Sequence, residues 1–66
     1  VDAVKNLSER QRQVLKFAAE GLLNKQIAFE LGVTERTVKM HRALLMERLE
    51  TPTAADMIRT AVEAGL

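Results

Sequence analysis

Asn24-Lys25-Gln26-Ile27-Ala28-Phe29-Glu30-Leu31-Gly32-Val33-Thr34-Glu35-Arg36-Thr37-Val38 is the stretch from which the rest of the chain can be read. Asn24 is a helix cap by residue type, and Ile27, Ala28 and Leu31 fall on one side of the helix that follows. Gly32 ends that helix, Thr34 caps the next, and only Gly32-Val33-Thr34 lies between them. A helix over 25–31 is too short to persist alone, so its neighbours must pack it. In the corner, glycine supplies a positive φ and valine points inward. Ala28 is small where two crossing helices approach closely, and Val38 is apolar one turn into the next helix. A small residue, a glycine four positions later and an aliphatic six further on is the arrangement a helix-turn-helix needs. A generic helical corner in an interaction module fits those three positions as well.

The flanking sequence is helical on both sides. Ser8 with Gln11 three residues later forms a capping box, and Val14, Leu15, Ala18 and Leu22 continue at the spacing of a buried stripe. Gly21 is placed to end that helix. After the corner, Val38, His41, Leu45 and Leu49 make a stripe of about four turns, and Pro52 disfavours helix at Thr51. Thr53, with Asp56 three residues on, starts a last helix that Gly65 stops. The helices are expected at about 9–20, 25–31, 35–49 and 54–64. Residues 1–6 show no period and read as the end of a linker, with the domain over 7–66. No strand alternation, repeat or low-complexity tract competes, so the expected class is all-α, a four-helix bundle-like domain containing a helix-turn-helix.

Composition removes most chemistry. The chain has 66 residues, no cysteine, one histidine, one serine and neither tyrosine nor tryptophan. A chain of this length buries only about 60% of its unfolded surface and has room for one core. Without cysteine there is no disulfide, thiolate zinc or thiol nucleophile. A lone His41 cannot make a multi-histidine metal site, and Ser8 has no histidine near it in sequence. Catalytic residues, metal ligands and cofactors are therefore not expected, and the chain reads as a binding module rather than an enzyme. No apolar run approaches the roughly 18 residues of a membrane span, and the amino terminus lacks a signal-peptide layout, so a cytoplasmic location is expected.

Charge is divided unevenly. Residues 1–23 carry net +1, residues 24–48 net +2 and residues 49–66 net −2. The isoelectric point of about 8.4 is below the value of about 9 that marks a strong nucleic-acid footprint. A polyanion would have to bind the middle third, because the last third has the wrong sign.

The helix over 35–49 is where such binding becomes concrete. At about 100° per residue, Val38, His41, Leu45 and Leu49 face inward, while Glu35, Arg36, Lys39, Met40 and Ala43 lie outward on its first turns. An element entering a major groove needs cations at its edges for phosphates and short or flexible side chains in front for base edges. Arg36, Lys39 and Arg42 supply the cations, and Met40 and Ala43 a low-bulk surface. Exposed Met40 and Leu44 have no other evident purpose on a monomer. An ordinary solvated face with two stray apolar residues is the plainer account.

Several stretches together resemble one family: Leu7-Ser8-Glu9-Arg10, Val14-Leu15, Gly21, Asn24-Lys25-Gln26-Ile27-Ala28, Leu31, Val33-Thr34 and Thr37-Val38-Lys39-Met40-His41. They are similar to the LuxR/NarL/FixJ (GerE-type) helix-turn-helix domain from about Leu7 to Leu66, and His41-Arg42-Ala43-Leu44-Leu45-Met46 looks most like its FixJ-type response regulators. The resemblance implies the output domain of a bacterial two-component transcription regulator that binds double-stranded DNA through the helix over 35–49. It further implies dimerisation through the helix over 54–64, control by a receiver domain outside this chain, and RNA polymerase as a candidate further partner. Carried over by position, Lys39, Met40 and Ala43 face bases, and Asn24, Lys25, Arg36 and Thr37 fall near phosphate contacts; Thr34 and Arg42 are expected to complete the phosphate-contacting set. Gln11 stands where the family usually has glutamate, Ala43 where some members have lysine, and Ala54 where an arginine is frequent.

The remaining residues take blander roles. His41 reads as a packing residue with a satisfied ring nitrogen rather than a pH switch. Phe17 and Phe29 are too few and too far apart for base stacking and are assigned to packing. Arg10 and Arg12 are ordinary solvated charges. Lys25 is a better phosphate contact, because a helix amino terminus itself favours anions. In the last helix, Met57, Ile58, Ala61, Val62, Ala64 and Leu66 with Ala54 and Ala55 cover roughly 200° of the wheel, about twice what packing on a core needs. The surplus suits a two-fold contact between copies, assigned to Met57, Ala61, Val62 and Ala64 and expected to be weak until DNA holds two copies together.

Overall fold

Ser8 starts the first long helix as its residue type and spacing require. Its Oγ accepts from the Gln11 backbone N–H at 3.1 Å, and Gln11 Oε1 accepts from the Ser8 N–H at 3.1 Å. Gln11 is buried, and this reciprocal bond meets the hydrogen-bonding need of its carboxamide oxygen. The computed structural model describes residues 2–66 and places five helical segments: α1 (Asp2–Lys5), α2 (Glu9–Ala19), α3 (Asn24–Leu31), α4 (Glu35–Arg48) and α5 (Ala54–Glu63). There is no strand among the described residues, and no helix is long and apolar enough to cross a membrane.

The four expected helices are present, and α1 is an addition to them. Val1 of the segment read as linker lies outside the described residues. Asp2–Lys5 form a helical turn in which Val4 is buried, and Leu7 is buried beside it in the same cluster. One turn carries too few residues to show a helical period, which is why the sequence is silent there.

Packing places α2 against both α4 and α5, with α3 on α4. Val14, Leu15, Ile27, Val38, Leu45, Met57 and Ala61 are fully buried where these helices meet. Ala28 is buried in the same core. Gly32 has φ +68, and the Val33 N–H reaches the Ala28 carbonyl at 3.0 Å while the Gly32 N–H reaches Phe29 at 3.3 Å. Those two bonds form a Schellman motif, which satisfies carbonyls that the end of α3 would otherwise leave open.

The start of α3 differs from expectation. Leu23, not Asn24, is the capping position, and Asn24 is the first helical residue. Only half a capping box forms, with Gln26 Oε1 accepting from the Leu23 N–H at 2.8 Å. The Asn24 side chain is thereby released for a different partner. At the end of α4 the chain turns through Glu50, a non-glycine residue at φ 55, and the Thr51 N–H bonds the Met46 carbonyl at 2.9 Å. This corner repeats the hydrogen bonding of the α3 terminus without a glycine to ease it.

Candidate nucleic-acid interface

Thr34 fixes the first turn of α4. Its Oγ1 accepts from the Thr37 N–H at 3.1 Å and lies 3.0 Å from Thr37 Oγ1, so both hydroxyls are ordered at the helix amino terminus. Val38 and Leu45 anchor the inner side of α4 in the core. With that side fixed, Glu35, Arg36, Lys39, Met40, Ala43 and Leu44 are all exposed. Met40 is 52% exposed, as expected for an apolar residue placed on the outer face. The structure therefore brings Arg36, Thr37, Lys39, Met40 and Ala43 to the outer part of α4's first turns, with Thr34 at their edge.

Among the described residues, Lys25, Arg36 and Lys39 make no side-chain hydrogen bond or ion pair, whereas four other arginines do. Arg59 pairs with Asp56 on α5. Arg12 Nη2 donates to the Lys5 carbonyl at 3.3 Å, which closes α1. Arg10 Nη1 donates to the Leu31 carbonyl at 3.2 Å, at the carboxy-terminal end of α3. Arg10 and Arg12, read as solvated charges, are thus structural struts. Arg42 Nη1 donates to Asn24 Oδ1 at 3.0 Å. Two residues assigned to phosphate contact are therefore joined to each other, unlike Lys25 and Arg36. That bond spans 18 positions, and no local pattern signals it.

Other assignments change. Met57 and Ala61 were placed in a contact between copies, yet both are fully buried in the chain's own core. The apolar arc of α5 is wide enough for two tasks, and the core takes the flank that contains them. Val62, 62% exposed, stays on the outer side with Ala54 and Ala55, and Ile58 and Ala64 are half-buried. Phe17 packs on the core as expected, but Phe29 is 84% exposed, so packing does not account for it. Phe29 lines a shallow groove with Leu22, Lys25, Gln26 and Glu30. His41 sits on the core side as expected, but its Nδ1 is buried without a hydrogen-bond partner among the described residues rather than satisfied. No group of three histidine, cysteine, aspartate or glutamate residues could hold a metal among the described residues.

Comparison with known proteins identifies the family of the chain. Residues 5–61 match the family model described as bacterial regulatory proteins, luxR family. The chain is similar to the response regulator protein TmoT of Ectopseudomonas mendocina, at 46% identity over 54 residues, which cover 82% of this chain and 24% of that protein. It is also similar to the transcriptional regulatory protein FixJ of Azorhizobium caulinodans, at 40% identity over 63 residues covering 96% of this chain and 30% of the relative. Nodulation protein W of Bradyrhizobium diazoefficiens is 43% identical over 60 residues, 91% of this chain and 26% of that protein. The chain spans between 24% and 30% of the length of these relatives.

Proposed function

The chain belongs to the luxR family of bacterial regulatory proteins, a family of DNA-binding transcription regulators, and on that premise we propose that α4 lies in the major groove of double-stranded DNA. Lys39, Met40 and Ala43 then meet base edges, while Lys25, Thr34, Arg36 and Thr37 meet phosphates. The observation that carries this reading is the outer side of α4, where Arg36 and Lys39, two cations without a side-chain partner among the described residues, accompany exposed Met40 and Ala43. Lysine and methionine are long and flexible and alanine leaves room, which suits a groove floor better than a buried contact. The Thr34–Thr37 hydroxyl pair at the head of α4 offers phosphate a neutral partner where backbone N–H groups also point outward.

The chain acts, in this reading, as the output portion of a response regulator in the cytoplasm, with the signal received elsewhere in the protein and RNA polymerase as a further partner. Two copies meet through the outer flank of α5, where Val62 is central and Ile58 and Ala64 lie beside it. That patch is small and suits a weak contact which DNA strengthens by holding two copies side by side. The operator would then hold two half-sites about 10 base pairs apart, centre to centre.

Selection of bound sites from random duplexes, followed by a gel shift over a salt series, tests the proposal. A preferred sequence is expected, with an affinity that falls as salt rises. Failure to retain any duplex at low salt would leave a helical protein-interaction module, which the exposed Phe29 and Leu23 on and beside α3 would serve.

A further inference from the structure

Among the described residues, only two side-chain hydrogen bonds join residues more than seven positions apart, Arg10 to Leu31 and Arg42 to Asn24, and both end on α3. The eight-residue α3 is too short to hold its place by helical hydrogen bonding alone. Its carboxy-terminal end is held to α2 by Arg10 and its amino-terminal end to α4 by Arg42. The second contact falls at a sensitive place. Asn24 precedes Lys25, and Arg42 lies one turn beyond Lys39 and beside Ala43. The bond is half-buried, and the pair lines a groove of about 350 Å³ with apolar Ala18, Leu22 and Ile58. Apolar surroundings strengthen such a bond.

We propose that Asn24 and Arg42 are positioning residues for sequence discrimination, a strut that fixes the head of α3 against the base-facing part of α4. The proposal rests on the duplex-binding reading above. With the strut in place, the phosphate anchor at Lys25 and the base-facing Lys39 and Ala43 keep one spacing, so a phosphate contact made by α3 sets the register at which α4 meets the bases. Without it, Lys25 still reaches phosphate, but from an α3 that no longer fixes the register of α4. Discrimination is lost while the charge that meets DNA is unchanged at Asn24. Arg42 acts through Asn24 and not on a phosphate, so its removal leaves the number of displaced counterions as it was.

The test compares the parent with Asn24→Ala, Arg42→Ala, the double variant and Arg42→Lys, which keeps a donor. Without DNA, each alanine change is expected to lower the melting temperature by about 4–8 °C, with the double variant no lower than the worse single. Arg42→Lys is expected to fall between Arg42→Ala and the parent. Additive losses would mean the two side chains do not act together and would overturn the strut. With DNA, fluorescence anisotropy is read on the duplex the parent selects and on one unrelated duplex, from roughly 50 to 200 mM salt. The expected result is a loss of about 10-fold or more on the selected duplex, a loss under about 3-fold on the unrelated one, and an unchanged salt slope. Equal weakening of both duplexes with a slope flatter by about one unit would make Arg42 a phosphate ligand and overturn the proposal. Parent-like discrimination in both alanine variants would overturn it as well. If Arg42→Ala does not fold, Arg42→Lys and Asn24→Ala carry the same readouts. A parent that binds no duplex would overturn the function proposed above and the discrimination claimed here, and the melting cycle would then decide the strut alone.

Discussion

The outer faces of α4 and α5 both expose apolar side chains, yet they differ in everything that surrounds those side chains. On α4, exposed Met40 and Leu44 share the outer side with Arg36 and Lys39, cations with no side-chain partner among the described residues. On α5, Val62 stands beside Glu63, and the one cation of that helix, Arg59, is neutralised by Asp56. An exposed apolar residue says little alone; its charged neighbours decide what can approach it. The first face suits a polyanion whose grooves admit apolar contact, and the second suits a partner without strong negative charge, such as another copy of itself.

The comparison breaks most visibly if the inner flank of α5 is not packed in the core. Met57→Ala removes a fully buried side chain and is expected to cost about 2–5 kcal/mol, a large fraction of the stability of a domain this small. A melting curve like the parent's would mean that Met57 is available at the surface after all. Gly32→Val alters the corner that delivers α4. Nothing lies within 4 Å of an added Cβ, so the cost is the positive φ itself, about 1–2 kcal/mol or more for a β-branched residue. Chemical denaturation should read that loss, and an unchanged midpoint would contradict a left-handed Gly32.

The smaller effects sharpen the contrast between the faces. Arg36→Ala is expected to weaken selected and unrelated duplexes alike and to flatten the salt slope by about one unit, with stability within about 0.5 kcal/mol. Val62→Asp is also expected to leave stability within about 0.5 kcal/mol and to leave single half-site binding nearly intact. It should remove the extra affinity gained from a second half-site, as should insertion of about 5 base pairs between the two, which turns the copies to opposite sides of the duplex. Cooperative binding that survives both changes would separate α5 from the contact between copies.

Where local chemistry decides the structure, the sequence was readable. The Ser8–Gln11 box, the Thr34 and Thr53 caps, the left-handed Gly32 and the buried stripes through Val14, Val38 and Leu45 all follow from residue type at short spacing. Most errors arose where a residue's role depends on a distant partner or on competition between surfaces. Asn24 has the chemistry of a cap, but its oxygen is taken by Arg42 from another helix. Met57 and Ala61 lie within an apolar arc twice as wide as a core needs, and periodicity cannot say which flank the core will choose. Phe29 is aromatic and was assigned to packing, although it is largely exposed on α3. Glu50 takes a left-handed conformation that nothing in its residue type announces, while Pro52 marks the same corner only approximately. Of the proposed interface, the outward placement of the α4 residues was legible from the wheel; that Asn24 and Arg42 bond to each other was not.

The central claim is that Lys39, on the outer face of α4, meets a base edge. The most direct measurement is the affinity of Lys39→Ala for the duplex selected by the parent and for an unrelated duplex, at one fixed salt concentration. The account predicts a loss of about 1–3 kcal/mol concentrated on the selected duplex, with the unrelated one far less affected. If Lys39→Ala binds the selected duplex as tightly as the parent does, α4 is not the element that reads DNA.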